Sequence, residues 1–167
     1  MSTQGERLLS KRISRRTFGI GAGAALAAAV TPFNIVRGQG NALKVGLIVP
    51  KSGVQAQFGQ SCQRGADISV QLVRDIGIPV DLEVMSADTE SSVEVARSRA
   101  EKLIENGAKL LVGAFDSGQT AAIAQVCEQH GVPLVINIAA ADQITDQGYK
   151  FVFRNFATST MLSLIHI

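Results

Sequence analysis

Short apolar runs alternate with longer amphipathic stretches along most of the chain. The runs Leu43–Val49, Lys109–Phe115 and Leu134–Ile138 are almost continuously apolar, which predicts strands in the interior of a sheet. Val80 to Val84 alternates apolar with acidic side chains and predicts a half-exposed strand. A fifth strand is expected over Tyr149–Arg154.

The first amphipathic stretch follows a Gly/Gln loop over Ser52–Gly59. Four of its residues recur at the spacing of one helix face: Gly65, Ile68, Leu72 and Ile76. The spacing predicts a helix, and Gly77 with Pro79 predicts where it ends.

Two more helices are predicted further along. Ser91 to Glu94 has the spacing of a capping box and opens the second helix, which Asn106 and Gly107 end. Its apolar stripe consists of Val93, Ala96, Ala100, Leu103 and Ile104. The third helix is marked by three apolar positions: Ile123, Val126 and Cys127. Gly131 and Pro133 end it.

The resulting βαβαβαβ order predicts an α/β fold with a parallel sheet covered on both faces. The half-exposed second strand suits a sheet edge and the apolar strands suit the interior, so we expect the flavodoxin-like strand order 2-1-3-4-5. In such a sheet, ligands bind beyond the carboxyl ends of the strands where the order switches, here between strands 1 and 3. The loops expected there are Pro50–Gly59 and Ala114–Thr120, flanked by Ile138–Ala141.

The charge of the chain is unevenly distributed. Residues 1–40 hold six basic residues and one acidic residue, a charge of +5, which leaves ten basic and thirteen acidic residues, or −3, for residues 41–167. A nucleic-acid-binding body would be basic, so that class of protein is disfavoured. Right-handed crossovers place Cys62 and Cys127 on opposite faces of the sheet, so no disulfide is expected. No His/Cys cluster exists, and we expect neither a metal nor a cofactor.

The basic N-terminal segment has the pattern of an export signal. Arg15 and Arg16 precede a weakly apolar Gly/Ala run, Gly19–Val30, which is typical of a twin-arginine signal. Small residues near Gly40 predict cleavage there and a periplasmic mature chain. The run is too short for a membrane anchor, which takes about 20 residues. Its glycines follow no predicted strand, so a dinucleotide-binding loop is rejected.

The strands and loops together resemble a known family, the solute-binding proteins of ABC importers of the branched-chain amino-acid-binding type. The resemblance covers Leu43 to about Met161 and rests on several short pieces in the right order. These pieces are Lys44–Ile48, Ser52-Gly53, Phe58-Gly59, Arg64–Ala66, Ala96–Ile104, Val112–Gly118, Gly131–Val135 and Phe151–Arg154. The resemblance implies a type I periplasmic-binding-protein fold of two hinged lobes that close on the ligand. This chain would hold only an incomplete first lobe.

The resemblance also implies what the protein does. It would be the periplasmic binding component of an ABC transporter and not an enzyme, capturing a branched-chain amino acid or a related aromatic carboxylate or amide. Its other partners would be an ABC permease of the inner membrane and the twin-arginine export machinery. A sensory module of the same fold is one alternative. An exported α/β enzyme is another, but residues 50–55 lack the glycine spacing of a phosphate-binding loop.

The resemblance places the ligand contacts of this lobe at the switch point. Ser117 matches the serine whose hydroxyl and backbone N–H hold a ligand carboxylate. It is also predicted to start a helix, where free N–H groups favour anions, and a plain N-cap serine is the alternative. Phe58 matches an aromatic pocket wall, with simple loop packing as the alternative. Ile138, Ala139 and Ala140 match the second clamp loop.

Phe115 and Asp116, directly before Ser117, complete the candidate set. Two residues, Asp116 and Ala140, depart from the pattern of the family. The negative charge of Asp116 would oppose a carboxylate unless a cation lies nearby; otherwise it would meet an amine or amide, or favour the helix dipole. Ala140 stands where the family often has a hydroxyl, so only backbone groups remain there. Both departures weaken the case for a plain α-amino acid ligand.

The C-terminal residues have a separate interpretation. Leu162–Ile167 reads LSLIHI, the in-frame translation of CTGTCTCTTATACACATC, the transposase mosaic-end adapter of sequencing libraries. We therefore expect residues 162–167 to be adapter read-through and residues 41–161 to be a partial lobe, a natural apolar C-terminus being the alternative. Without a hinge and a second lobe, such a fragment is expected to be unstable and to bind ligand weakly.

Overall fold

The computed structural model describes residues 42–164. The predicted export signal, with Arg15, Arg16 and the cleavage position near Gly40, lies outside the described residues. The elements are β1 (Leu43–Val49), α1 (Ala56–Asp75), β2 (Leu82–Asp88), α2 (Val93–Glu105), β3 (Leu110–Gly113), α3 (Ser117–His130), β4 (Leu134–Ile136), a 3₁₀ turn (Asp142–Ile144), β5 (Val152–Arg154) and α4 (Ser159–Leu164). Over this range, no helix is long and apolar enough to cross a membrane.

The five strands form one parallel sheet in the order β2-β1-β3-β4-β5, which confirms the predicted fold class and strand order. Leu47 of β1 lies opposite Ser86 of β2 on one side and Val112 of β3 on the other. β2 begins at Leu82, later than predicted, and β3, β4 and β5 are shorter than the predicted runs. β2 lies on one side of β1, and β3, β4 and β5 follow on its other side, so the strand order reverses at β1. The carboxyl ends of β1 and β3 meet at this switch, where the sequence predicts a ligand site.

One face of the sheet is closed by α2 and α3. Ile48, Leu111 and Ile136 project from the strands into a core in which they have no solvent exposure. The two helices contribute Ala96, Ala100, Leu103, Ile123, Val126 and Cys127 to the same cluster. The apolar stripes of both helices therefore face the core as their spacing predicts, apart from Val93, which is exposed.

The opposite face of the sheet carries α1. Gln63 of α1 accepts a hydrogen bond from Ser86 of β2, which lies beside Leu47 on this face. Cys62 of α1 accepts a hydrogen bond from the amide of Asn137, just beyond β4, at 3.6 Å. α1 thus lies on the other side of the sheet from α2 and α3, as right-handed crossovers and the reversal at β1 require.

The α1 side of the sheet is partly uncovered. α1 buries only Gly59, and its apolar stripe is exposed, with Ile68 at 68% and Leu72 at 55%. Phe153 of β5 lies on the same face of the sheet and is 53% exposed. The stripe therefore predicts the helix correctly but faces no core within residues 42–164. We call the surface formed by Ile68, Leu72, Ile76 and Phe153 the open α1 face.

α1 begins earlier than the sequence predicts. It starts at Ala56, so Phe58 and Gly59 lie in its first turn and not in a loop. Gly59 packs against the carbonyl group of Pro50, and a β-carbon at this position would overlap the carbonyl oxygen. The glycine that marks a loop in the sequence is therefore what lets the first turn of α1 approach the end of β1.

The cap of α2 is shifted by one residue from the predicted capping box. Ser92 and not Ser91 is the N-cap, and its hydroxyl accepts a hydrogen bond from the backbone N–H of Val95 at 3.4 Å. Ser91 has a φ of 56°, and its hydroxyl donates to the carbonyl of Ser52 at 2.8 Å. Ser91 therefore holds the loop after β1 instead of capping α2.

The two cysteines lie on opposite sides of the sheet and are free, as predicted. Cys127 is fully buried in the core, and burial raises the pKa of its thiol to about 12. Cys62 is partly buried, and burial raises its pKa despite the hydrogen bond from Asn137. Both thiols are therefore protonated at neutral pH and are poor nucleophiles.

We predict opposite effects of the same substitution at two glycines of α1. Gly59→Ala should destabilise the protein by about 1–3 kcal/mol because the new methyl group overlaps Pro50. Gly65→Ala should stabilise it by about 0.5–1 kcal/mol, because a β-carbon there meets no neighbour and alanine favours the helix. Urea unfolding of both variants beside the wild type measures the difference. Equal effects at the two positions would contradict the packing described for α1.

Candidate functional site

The predicted site residues form two groups at the carboxyl edge of the sheet. Phe58 stacks on Phe115, with ring centroids 4.2 Å apart and ring planes 7° from parallel. Phe58 is 49% exposed, so the pair presents a flat aromatic surface to solvent. Ser117 accepts a hydrogen bond from the backbone N–H of Ala141 at 3.4 Å. The first turn of α1 and the loop after β3 therefore meet at the aromatic pair, and the start of α3 and the loop after β4 meet at Ser117.

Asp116, and not Ser117, is the N-cap of α3. Its Oδ1 accepts a hydrogen bond from the backbone N–H of Gln119 at 3.0 Å, and its Oδ2 accepts from the side-chain amide of Gln55 at 3.3 Å. The interpretation of Ser117 as a plain N-cap is therefore wrong. The positive end of the helix dipole stabilises the negative charge of Asp116, and each of its carboxylate oxygens accepts a hydrogen bond from another residue of the chain.

A chain of polar side chains connects the loops after β1, β2 and β3. Gln119 donates to Oε1 of Gln55 at 2.8 Å and accepts from the hydroxyl of Thr89 at 2.5 Å. Thr89 and Gln119 are almost fully buried, so losing either would leave an unsatisfied polar group. Sequence reasoning missed these three residues because their partners are distant in the chain and no local pattern marks them.

Ser117 is the first residue of α3 and is partly buried. Its hydroxyl oxygen accepts from Ala141, which leaves the hydroxyl proton available for an outside acceptor. The backbone N–H groups of Ser117 and Gly118 have no acceptor within residues 42–164, as is usual for the first turn of a helix. This turn therefore offers several donors to an anion.

The loop after β4 contributes backbone groups to the site. Ala139 is buried in the core, so only its backbone can contribute to the predicted clamp loop, while Ile138 and Ala140 are half-buried. Arg154 of β5 donates to the carbonyl of Ala139 and, at 2.6 Å, to that of Ala141. The role of Arg154 was missed as well, although the residue stands in the Phe151–Arg154 piece of the sequence.

Comparison with known protein families supports this fold. Residues 42–164 match a family model described as periplasmic binding protein. The chain belongs to the periplasmic binding protein family. The predicted family is therefore confirmed, and the type I fold of this periplasmic binding protein agrees with its structural neighbours.

Two curated relatives illustrate the match. The leucine-, isoleucine-, valine-, threonine-, and alanine-binding protein of Pseudomonas aeruginosa is 29% identical over 121 residues, which cover 71% of this chain and 32% of the relative. Leu/Ile/Val-binding protein homolog 1 of Brucella abortus is 30% identical over 112 residues, 66% of this chain and 30% of the relative. The periplasmic binding protein described here therefore spans about a third of the length of these relatives.

Two solved structures show the same architecture. The substrate-binding protein LivJ of Streptococcus pneumoniae, in complex with isoleucine, aligns with a TM-score of 0.66 at 28% identity, covering 71% of this chain and 34% of that protein. A solute-binding protein of R. palustris in complex with benzoate aligns with a TM-score of 0.64 at 32% identity, covering 71% and 33%. The matched proteins are substrate-binding proteins and not enzymes, which agrees with the expectation for this chain.

Asp88, at the carboxyl end of β2, holds the loop after β1. Its Oδ1 accepts hydrogen bonds from the backbone N–H groups of Lys51 at 2.7 Å, Ser52 at 3.2 Å and Glu90 at 2.9 Å. Burial alone would raise the pKa of this carboxyl, but hydrogen bonds from Ser52, Glu90 and Lys51 outweigh burial and hold the pKa below its ordinary value. The ionised form of Asp88 therefore stabilises the loop that leads into α1.

The described residues offer no site for a metal ion. Within residues 42–164, no three His, Cys, Asp or Glu side chains lie close enough together to hold one. The groups available at the carboxyl edge are backbone N–H groups, one hydroxyl and an aromatic pair, which suit the binding of a small organic anion.

We predict that Asp116→Ala destabilises the protein by about 1–2 kcal/mol, because it removes the cap of α3 and the partner of Gln55. Asp116→Asn should cost less, since asparagine also caps helices well. Thermal unfolding measures both changes. Asp146→Ala, which removes an exposed carboxylate, is the matched control and should change stability by less than about 0.5 kcal/mol. Equal losses at positions 116 and 146 would show that Asp116 does not organise the site.

We predict that Asp88→Asn lowers stability near neutral pH and that this loss shrinks in acid. Because the folded-state pKa is lowered, the carboxylate contributes stability above its unfolded-state pKa of about 3.9 and loses that contribution as the pH falls through the folded-state pKa. Urea unfolding at about pH 7 and about pH 3 tests this. Asp81→Asn serves as the control. Asp81 is exposed, and its ion pair with Arg74 is long at 4.0 Å. A loss at Asp88 that is the same at both pH values would contradict the prediction.

Proposed function

We propose that this protein is the solute-binding component of an ABC importer and that residues 41–161 belong to the first of two lobes that close on a small organic acid. The observation that carries the proposal is the position of Ser117, on the first turn of α3 and in contact with the clamp loop at Ala141. In this role the protein would act in the periplasm with an ABC permease, after export by the twin-arginine machinery through residues 1–40.

The ligand carboxylate would lie between the first turn of α3 and the loop after β4. There it would accept hydrogen bonds from the hydroxyl and N–H of Ser117, the N–H of Gly118 and the N–H of Ala140. None of these donors has an acceptor within residues 42–164, whereas the neighbouring N–H of Ala141 already binds the serine oxygen. Hydrogen bonds to a charged acceptor are stronger than neutral ones, so this group of donors favours an anion.

The apolar part of the ligand would pack on the pair formed by Phe58 and Phe115. A flat aromatic surface suits a benzoate ring by offset stacking and a branched aliphatic side chain by apolar contact. The structural neighbours carry both kinds of ligand, isoleucine in one and benzoate in the other. We therefore propose a branched-chain amino acid or an aromatic carboxylate as the ligand.

An amine on the ligand would find few partners on this lobe. Each oxygen of Asp116 already accepts one hydrogen bond, from Gln119 or from Gln55, and Ala140 has no hydroxyl. An α-ammonium group would need an acceptor from the second lobe. This lobe by itself would distinguish ligands by their carboxylate and their apolar part.

The open α1 face supports the proposal that a larger protein surrounds this lobe. A parallel sheet is normally covered on both faces, yet Phe153 and the stripe of α1 are exposed. Matched proteins about three times as long provide the chain length for such a cover. The interpretation of residues 162–167 as adapter read-through stays a prediction; α4 extends over Leu162–Leu164 with exposed side chains.

We predict that Ser117→Ala weakens ligand binding on the order of tenfold to a hundredfold without a matching loss of stability. The substitution removes one hydrogen bond to a charged acceptor and leaves the cap at Asp116 intact. Isothermal titration of the full-length protein with L-isoleucine and with benzoate, beside a thermal melt, measures both quantities. Ser69→Ala, on the exposed side of α1, is the matched control. If the wild type binds neither compound, or if Ser117→Ala binds as the wild type does, the proposed site is wrong.

A further inference from the structure

Hydrogen bonds to three successive carbonyl groups hold the loop after β4 in place. Arg154 donates from Nη1 to the carbonyl of Ala139 and from Nη2 to the carbonyl of Ala141 at 2.6 Å. Ser159 donates to the intervening carbonyl of Ala140, from its backbone N–H at 2.7 Å and from its hydroxyl at 3.1 Å. β5 and the start of α4 therefore bind the carbonyl groups of this loop.

This anchoring fixes the direction of the N–H groups of the loop. The C=O and N–H of a trans peptide point in opposite directions, and the three peptide bonds after Ala139, Ala140 and Ala141 are trans. The N–H groups of Ala140, Ala141 and Asp142 therefore point away from the groups that hold the carbonyls. The N–H of Ala141, whose peptide carbonyl is held by Ser159, reaches the hydroxyl oxygen of Ser117. Arg154 holds the two flanking peptides, and thereby fixes the N–H groups of Ala140 and Asp142 on either side of this contact.

The charge of Arg154 is not neutralised by a neighbouring residue. Its guanidinium lies within salt-bridge distance of no carboxylate in residues 42–164, and its Nε is buried without a hydrogen-bond partner. A partly buried cation that binds only carbonyl groups is unfavourable compared with one paired to a carboxylate. Packing alone does not explain an arginine at this position. An anion at the site would provide the missing negative charge.

We propose that Arg154 is a positioning residue that makes the site selective for carboxylates. It fixes the N–H groups of the loop, and its positive charge, unpaired within residues 42–164, adds to their attraction for an anion. The guanidinium acts through the loop and through its electric field, without touching the ligand. This inference rests on the proposed function, and it adds a reason why a site that contains Asp116 accepts an anion.

The test compares charged and neutral forms of the same ligand. The full-length protein is titrated with benzoate and benzamide, and with L-isoleucine and L-isoleucinamide. Arg154→Met removes both the charge and the donors, and Arg154→Lys keeps the charge. Ser159→Ala removes one anchor of the loop without changing the charge, and Arg97→Met removes an arginine that binds only Gln125 on the surface of α3.

We expect Arg154→Met to weaken carboxylate binding about tenfold more than amide binding, because only the carboxylate interacts with the lost charge. Arg154→Lys should keep most of the preference for carboxylate. Ser159→Ala should weaken both ligand forms by the same factor, and Arg97→Met should weaken neither. The proposal is overturned if Arg154→Met lowers carboxylate and amide binding by one common factor, which is the result of a purely structural role. If Arg154→Met does not fold, Arg154→Gln, which also removes the charge, decides by the same ratio.

A second measurement separates this inference from the proposed function. Amide hydrogen exchange of residues 139–142 is compared in the ligand-free wild type, Arg154→Lys and Arg97→Met. Faster exchange in Arg154→Lys alone supports the positioning role, since lysine cannot bind two carbonyls in a fixed plane. Unchanged exchange overturns it. A wild type that binds none of the four compounds refutes the proposed ligand class, and the exchange result then decides the positioning role by itself.

Discussion

The arrangement of the carboxyl edge depends on the two hydrogen-bonded oxygens of Asp116. One oxygen caps α3 through Gln119, and the other holds Gln55 in the loop after β1. Gln119 then joins Gln55 to Thr89 at the end of β2. A single carboxylate at the switch point therefore fixes three loops relative to one another, and in doing so it leaves Ser117 free from capping and available to a ligand.

The sequence predicts the elements and their order well because both depend on short-range patterns. Apolar runs of strand length and apolar residues at helical spacing locate the five strands and the helices. The alternating pattern of β2 marks it as an edge strand, which is enough to derive the order 2-1-3-4-5. The switch point follows from that order, so the region of the site, including Phe58 and Ser117, is predictable before any contact is known.

The remaining details depend on contacts between distant residues and could not be predicted in this way. The choice between Ser91 and Ser92 as a cap is decided by a backbone angle and by a contact with Ser52. Gly59 reads as a loop residue until Pro50 is placed against it. The exposed stripe of α1 has the spacing of a core-facing helix, because spacing identifies an apolar face without identifying what covers it.

The site of this lobe presents donors and almost no acceptors. The oxygens of Asp116 are used by Gln119 and Gln55, and the carbonyls of residues 139–141 are used by Arg154 and Ser159. What remains free is the hydroxyl proton of Ser117 and backbone N–H groups from α3 and the clamp loop. In the proposed function, a surface of this composition would hold the acidic end of a solute. An amine at the other end of a zwitterionic ligand would then be bound mainly by another part of the full-length protein.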